Sequence, residues 1–225
     1  MQKLTRDTLF DGRLVCRQHA KGYRFSVDAV LLAHFVHPSS GSRILDLGAG
    51  CGIISLILAY RPPELILSAL ELQEPLADLC RANVRENRLE KKIEVINGDL
   101  RKISSLVKPD RRNPAGEQAV ARHELQAGLE DILTAAAFAV KNRGKVALVY
   151  PGARLVSLLH GLRDHGLEPK RLQMVHGHAA STARLVLVEA VKNGGEGLDV
   201  LPPFYIYRAV GSRNFSDAML ALYRP

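Results

Sequence analysis

The sequence is short of cysteine and of long apolar runs, and each shortage excludes a class of protein. Among its 225 residues only Cys16, Cys51 and Cys80 are cysteines. Their number is odd and no CxxC spacing occurs. A disulfide framework and a zinc site are both disfavoured, and a reducing cytoplasm is the simplest compartment. No stretch reaches the roughly 18 apolar residues of a membrane span. The opening "MQKLTRDTLFDGR" has no apolar core of the kind a secretory leader needs. No internal repeat and no low-complexity linker is visible, so the length fits one large α/β domain or two small ones. Acidic residues are outnumbered, 23 against 31 Lys plus Arg, for a formal net charge of +8. That surplus suits a polyanionic partner, or it serves only solubility.

What is present is an alternation of apolar runs in a chain that is 47% hydrophobic, enough to fill a core. Turn signals at Asp11-Gly12 and Lys21-Gly22 frame a small β-hairpin with Leu14, Val15 and Cys16 in one strand. From Val27, the residues Val30, Leu31, His34 and Phe35 fall at helical spacing, with Ser26 as N-cap. Then "RILDL" reads as a strand and "GIISLILAYR" as a buried helix stopped by Pro62-Pro63. "LILSALEL" is a second strand, "EPLADLCRANVRENRL" a helix with Pro75 in its first turn, and "IEVING" a third strand. A long helix is expected from about Glu117 to Val140. "KVALVY" is a strand, "ARLVSLLHGLRDHG" a helix, and "RLQMVHG" and "ARLVLVEAV" are two strands with only a short loop between them. Strands separated by helices predict a mainly parallel sheet covered on both faces. The last two strands predict an antiparallel pair at its edge.

The segment "LDLGAGCGIIS" joins a strand to a helix through Gly48, Gly50 and Gly52, a turn that lets a nucleotide cofactor approach the backbone closely. The spacing is G-x-G-x-G, not the G-x-G-x-x-G of a dinucleotide site. Asp46 would repel a pyrophosphate, yet it suits S-adenosylmethionine (SAM), which brings an ammonium and a sulfonium and no phosphate. Glu71 ends the next strand, where its carboxylate can accept from both ribose hydroxyls. Asp99, in "NGDL", ends the third strand and could accept from the adenine amino group. Each acid alone is as readily a helix cap or loop charge; the three at successive strand ends are far more specific. Leu72 and Leu100, beside two of them, complete the cofactor-binding set. No metal is called for.

These motifs resemble class I SAM-dependent methyltransferases. The segments "GYRFSVDAVLLA", "ILDLGAGCGIISLILA", "ALELQ", "RANVRENRL", "GDL", "RRNPAGEQAVARHE", "LVYPGARL" and "ARLVLVEA" narrow the resemblance to the bacterial tRNA(1)Val adenine N6-methyltransferases, which methylate the adenine just 3′ of the anticodon. The resemblance implies one SAM-dependent methyltransferase domain over residues 1–225, with residues 1–40 as a hairpin-and-helix cap. It also implies a Rossmann-like sheet of seven strands whose antiparallel seventh lies between the fifth and sixth. Arg24, Phe25 and Ser26 would help close over the cofactor. Phe25 as a core residue under the first helix is the plainer reading of that position. Cys51 is read only as a small side chain tolerated in the glycine loop, with nothing cationic adjoining it in sequence to activate a thiolate.

One expected part is missing. In amino-methyltransferases of this type the fourth strand ends in Asn-Pro-Pro-Tyr or Phe. The Asn oxygen and a Pro carbonyl accept the two amine hydrogens and aim the nitrogen lone pair at the methyl group, while the aromatic ring stacks on the flipped base. No such motif occurs. Asn113-Pro114 is followed by Ala115 and Gly116, Pro62-Pro63 stops a helix, and "LPPF" (201–204) lies past the last sheet strand with Leu201 unable to accept. The fourth strand itself is expected to be missing near Asp110 and Arg111, and no catalytic residue is visible. Three explanations stay open: the gene product carries residues there that this sequence omits, a deletion has produced a catalytically silent relative, or "ISSLV" supplies a rewired strand.

For substrate contact, Arg111, Arg112, Asn113, Arg122 and His123 flank the expected active site, and the arginines are candidate phosphate contacts. His123 reads more readily as a loop-ordering residue than as a general base. Arg81, Arg85, Arg88, Lys91 and Lys92 lie on or just after one helix and read as its solvated face, and Arg154 either reaches substrate or packs on the sheet. The leading function is SAM-dependent N6-methylation of adenine in tRNA. Transfer to rRNA guanine, DNA adenine or a protein glutamine, and a non-catalytic SAM- or RNA-binding role, are the alternatives.

Overall fold

The computed structural model describes residues 3–20, 26–106, 118–122 and 127–224. Strands β1 (Leu4–Leu9) and β2 (Leu14–His19) make the antiparallel hairpin expected around Asp11-Gly12. Helix α1 (Val27–Phe35) follows Ser26, which sits at the N-cap position in extended backbone and makes no side-chain cap hydrogen bond. Then come β3 (Arg43–Leu47), α2 (Ile53–Tyr60), β4 (Ile66–Glu71), α3 (Glu74–Glu86) and β5 (Ile93–Asn97). A short turn of 3-10 helix over Leu100–Lys102 leads into α4 (Ile103–Leu106). Beyond it lie β6 (Gln118–Arg122), α5 (Leu129–Ala139), β7 (Lys145–Pro151), α6 (Leu155–Asp164), β8 (Leu167–His176) and β9 (Ala183–Lys192). The chain ends with β10 (Asp199–Val200), β11 (Phe204–Tyr205) and α7 (Asp217–Ala221).

The large sheet runs β5-β4-β3-β6-β7-β9-β8, with β10 and β11 added alongside β8. β3 to β7 are parallel, and β9 is antiparallel to both neighbours. This is the expected insertion of a late antiparallel strand between the two before it. Alternate residues face two cores. Ile44, Val120, Ala147 and Val149 pack under α1, α2 and the hairpin, while Leu45, Leu47, Ala119, Ala121, Val146 and Leu148 pack under α5 and α6.

Three expectations are corrected. The fourth strand is not missing: β6 fills the slot between β3 and β7, with Leu45 opposite Ala119 and Ala119 opposite Val146. The helix expected from Glu117 therefore begins only at Leu129. Ala and Gln favour helix locally, but β3 and β7 are buried on both faces. An empty slot between them would orphan two rows of backbone donors and acceptors, so the tertiary demand wins. The "ISSLV" strand is also withdrawn, because Ile103–Leu106 is helical and Ile103 plugs the core. Finally, "LPPF" does not lie beyond the sheet. Leu201 N–H donates to Leu172 O at 2.8 Å, and Phe204 and Tyr205 pair with Val175 and His176, covering the edge of β8.

The hairpin docks on α3 through two side-chain amides one helical turn apart. Asn87 accepts from Val15 N–H at 2.9 Å and donates to Val15 O at 2.7 Å; Asn83 accepts from Arg17 N–H at 2.8 Å and donates to Arg17 O at 2.9 Å. Successive outward backbone groups of a strand and residues i and i+4 of a helix have similar spacing, so two amides stand in for a neighbouring strand. An Arg17–Glu86 ion pair at 2.7 Å flanks them.

Candidate cofactor-binding site

The carboxyl ends of β3, β4 and β5 lie side by side, and the three acids singled out from the sequence are gathered there. Asp46 is the fourth residue of β3, Glu71 the last of β4, and Asp99 follows β5 by two residues. Between β3 and α2 the chain turns through Gly48, Gly50 and Gly52, all with left-handed φ (75°, 58° and 89°). Such values strain any residue with a Cβ. At Gly52 a Cβ would also stand 2.5 Å from Cys80 Sγ on α3, so the loop lies directly against that helix.

Backbone donors fix the loop over β4. Gly48 and Ala49 N–H both donate to Leu70 O, at 2.8 and 2.9 Å. Glu71, only 5% exposed, accepts from Gly50 N–H through Oε2 at 2.8 Å and from Gln73 N–H through Oε1 at 2.9 Å. One bond to each oxygen leaves each a further acceptor position, matching a pair of ribose hydroxyls. Asp46 is buried and its Oδ2 accepts from Ser55 Oγ at 2.7 Å. Ser55 and Asn97 are contributors that sequence reading passed over. Asn97 Nδ2 donates to the carbonyls of Glu71 and Leu72 at 2.9 and 3.1 Å, tying the crest of β4 to β5. Polar residues one helical turn into α2 and at a strand end were the available signals.

Asp99 is more engaged than expected. Arg101 clamps it with Nε to both carboxylate oxygens and Nη2 to Oδ2 at 2.6 Å, and the Arg101 N–H adds a fourth bond. The Arg101 side chain, then its backbone N–H, hold the carboxyl down at about 2. An adenine amino group at Asp99 would have to displace one of these contacts. Leu72 stands 40% exposed beside Glu71, whereas Leu100 is buried in the core under α5.

Other sequence candidates distribute as follows. Arg24, Phe25, Arg111, Arg112, Asn113 and His123 lie outside the described residues. Arg122 ends β6, at the same carboxyl edge as the acids. The guanidinium of Arg154 lies over the Tyr150 ring, 5.4 Å from its centroid. Lys92, beyond α3 and just before β5, reaches back to Glu64 at 3.1 Å, and Arg81 on α3 pairs with Asp78 at 2.7 Å. Cys51 is buried in the loop with its Sγ 3.6 Å from that of Cys16. Hydrogen bonding to Cys51 and burial push the Cys16 thiol up, and burial does the same to Cys80. These are poor thiolates. Among the described residues no helix is long and apolar enough to cross a membrane, and no three His, Cys, Asp or Glu side chains are grouped to hold a metal ion.

Asp46, buried at this turn, would oppose a pyrophosphate and suits a cationic, phosphate-free nucleoside, whereas Glu71 at the end of β4 suits the ribose of either cofactor class. Comparison with known proteins agrees. A family model described as methyltransferase small domain matches residues 26–152. A tRNA1(Val) (adenine(37)-N6)-methyltransferase of Shewanella sp. strain MR-4 is 30% identical over 185 residues, covering 74% of this chain and 78% of the relative. Another of the same name from Shewanella loihica is 25% identical and covers 89% of this chain and 90% of its own. Among solved structures, one described as a predicted O-methyltransferase from Agrobacterium tumefaciens superposes with a TM-score of 0.75 at 21% identity, covering 87% of this chain and 95% of that one. At that identity the likeness concerns the fold.

Proposed function

Because the chain belongs to the methyltransferase small-domain family and to the tRNA1(Val) (adenine(37)-N6)-methyltransferases, we propose that it binds SAM over β3, β4 and β5 and serves N6-methylation of adenine in tRNA beside the anticodon. The observation that carries this reading is the row of acids. Asp46, Glu71 and Asp99 stand at the ends of three adjacent parallel strands around a glycine turn, with Glu71 pre-oriented by two backbone donors. In this reading Glu71 receives the ribose hydroxyls and Asp99, sharing Arg101, the adenine amino group. Asp46 and the glycine turn face the cationic methionine end, and Leu72 covers the adenine ring. The bound cofactor supplies an electrophilic methyl group on sulfur. The protein's task is to exclude water and present the acceptor nitrogen in line. The net charge of +8 suits the phosphates of tRNA. A cytoplasmic location follows from that substrate.

The residues that should orient the amine are absent from the sequence. The reading therefore includes residues between Asp110 and Arg111 in the gene product. An intact mass of 24.7 kDa for the protein purified from its source would remove that part of the proposal. A second reading, a SAM-binding relative that does not transfer, rests on the same absence and on β6 already filling the fourth-strand slot. Incubation with methyl-labelled SAM and tRNA lacking the modification separates the two. Label in N6-methyladenine supports the first; cofactor binding without transfer supports the second.

A further inference from the structure

We infer that Asn83 is a positioning residue that couples the N-terminal hairpin to the cofactor loop, so that occupancy of the SAM site and docking of the hairpin stabilise each other. The inference rests on the SAM-binding reading above.

Asn83 is fully buried in the last turn of α3, where a polar side chain persists only if its bonds are satisfied. Its two amide hydrogens go to different elements. One meets Arg17 O on β2 at 2.9 Å, and the other meets Cys51 O in the glycine loop, also at 2.9 Å. Its Oδ1 accepts from Arg17 N–H at 2.8 Å. A single planar amide therefore fixes the distance between hairpin and loop. Two further contacts join the loop to α3 and the hairpin on this side. Gly52 abuts Cys80, three residues before Asn83 on the same face of α3, and Cys51 Sγ faces Cys16 Sγ of β2. Asn87, one turn later, makes the matching bonds to Val15 but none to the loop. The hairpin in turn leads through residues 21–25 into α1, so its placement sets where that connection begins.

Asn87 is thus a built-in control: both asparagines hold the hairpin, and only Asn83 holds the loop. Asn83→Asp keeps the acceptor to Arg17 N–H and removes both donors. Asn87→Asp keeps the acceptor to Val15 N–H and removes the donors to Val15 O and to Asn83 O within α3's last turn, with no bond to the glycine loop affected. Binding of S-adenosylhomocysteine is measured by titration calorimetry on wild type and both variants, and backbone hydrogen exchange is followed with and without that ligand. The expected result is affinity about tenfold weaker or worse in Asn83→Asp and within about threefold of wild type in Asn87→Asp. In wild type, ligand should slow exchange at Val15 and Arg17. In Asn83→Asp that protection should be lost at Arg17 even at saturating ligand. Should Asn83→Asp fail to fold, Asn83→Ser, which keeps one donor, and the wild-type exchange data carry the test. Equal affinities in the two variants, or no ligand-dependent protection in β2, would overturn the coupling. No binding by wild type would instead overturn the SAM reading on which it rests.

Discussion

Replacing Glu71 tests the site most sharply, because its carboxylate serves the protein and the ligand at once. Its oxygens take one backbone bond each, from Gly50 and Gln73, in an almost fully buried position. The remaining acceptor positions are those assigned to the ribose. Hydrogen bonds to a charged group are worth about 1.5–3 kcal/mol, and an orphaned buried donor costs about 1–3 kcal/mol. Glu71→Ala removes both ribose bonds and frees the loop, so affinity for S-adenosylhomocysteine should fall by about 3 kcal/mol, roughly 150-fold. Glu71→Gln is nearly isosteric yet should also bind poorly, by at least about tenfold. Its NH2 must face either Gly50 N–H or Gln73 N–H, setting donor against donor. Calorimetric titration gives the affinities, and thermal unfolding checks that each variant is folded. Affinities within threefold of wild type in both folded variants would refute the assignment of Glu71 to the ribose.

Further outcomes follow from other positions. Gly52→Ala should destabilise by about 2 kcal/mol or more in urea unfolding, from left-handed backbone and the Cys80 contact together. Adding Cys80→Ala should recover the contact part and leave the backbone part. Ala121→Pro, in the middle of β6 between Leu47 and Leu148, should cost about 3 kcal/mol or abolish folding; a benign effect would contradict the strand. Burial lowers His34 from 6.5 to about 4, against the pull of its bond to Val30 O. The unfolded chain thus takes up this proton first as pH falls. The stability His34 contributes is complete above pH 6.5 and is lost progressively toward pH 4, by about 1–3 kcal/mol. A His34→Leu variant should lose that part of the slope in unfolding measured across this range. None of the three thiols should react rapidly with a thiol reagent in the native protein, and all three should react in denaturant.

Much of this architecture was legible in the sequence, because period and punctuation agreed along most of the chain. Asp11-Gly12, Pro62-Pro63 and Pro75 marked true boundaries, and the acids Glu71, at a strand end, and Asp99, two residues beyond one, were readable because each follows an apolar run. The fourth strand was not legible. "QAVAR" is short, rich in alanine and continuous with a helical pattern, so local preference pointed to helix. Only the gap between β3 and β7 makes it a strand, and a gap is a property of the folded sheet. The edge strands Asp199–Val200 and Phe204–Tyr205 were missed for a similar reason: two residues carry no period. At the site, Arg101 escaped notice because its clamp on Asp99 depends on a 3-10 turn. Asn83 looked like one more polar residue on an amphipathic helix until the hairpin and glycine loop were seen to meet over it.

The most direct measurement of the central claim is methyl transfer from labelled SAM to unmodified tRNA, with the product digested to nucleosides and the label located by mass spectrometry. The account expects label in N6-methyladenosine, lost when the adenine 3′ of the anticodon is replaced. Saturable binding of the cofactor with no label in any nucleoside would contradict it.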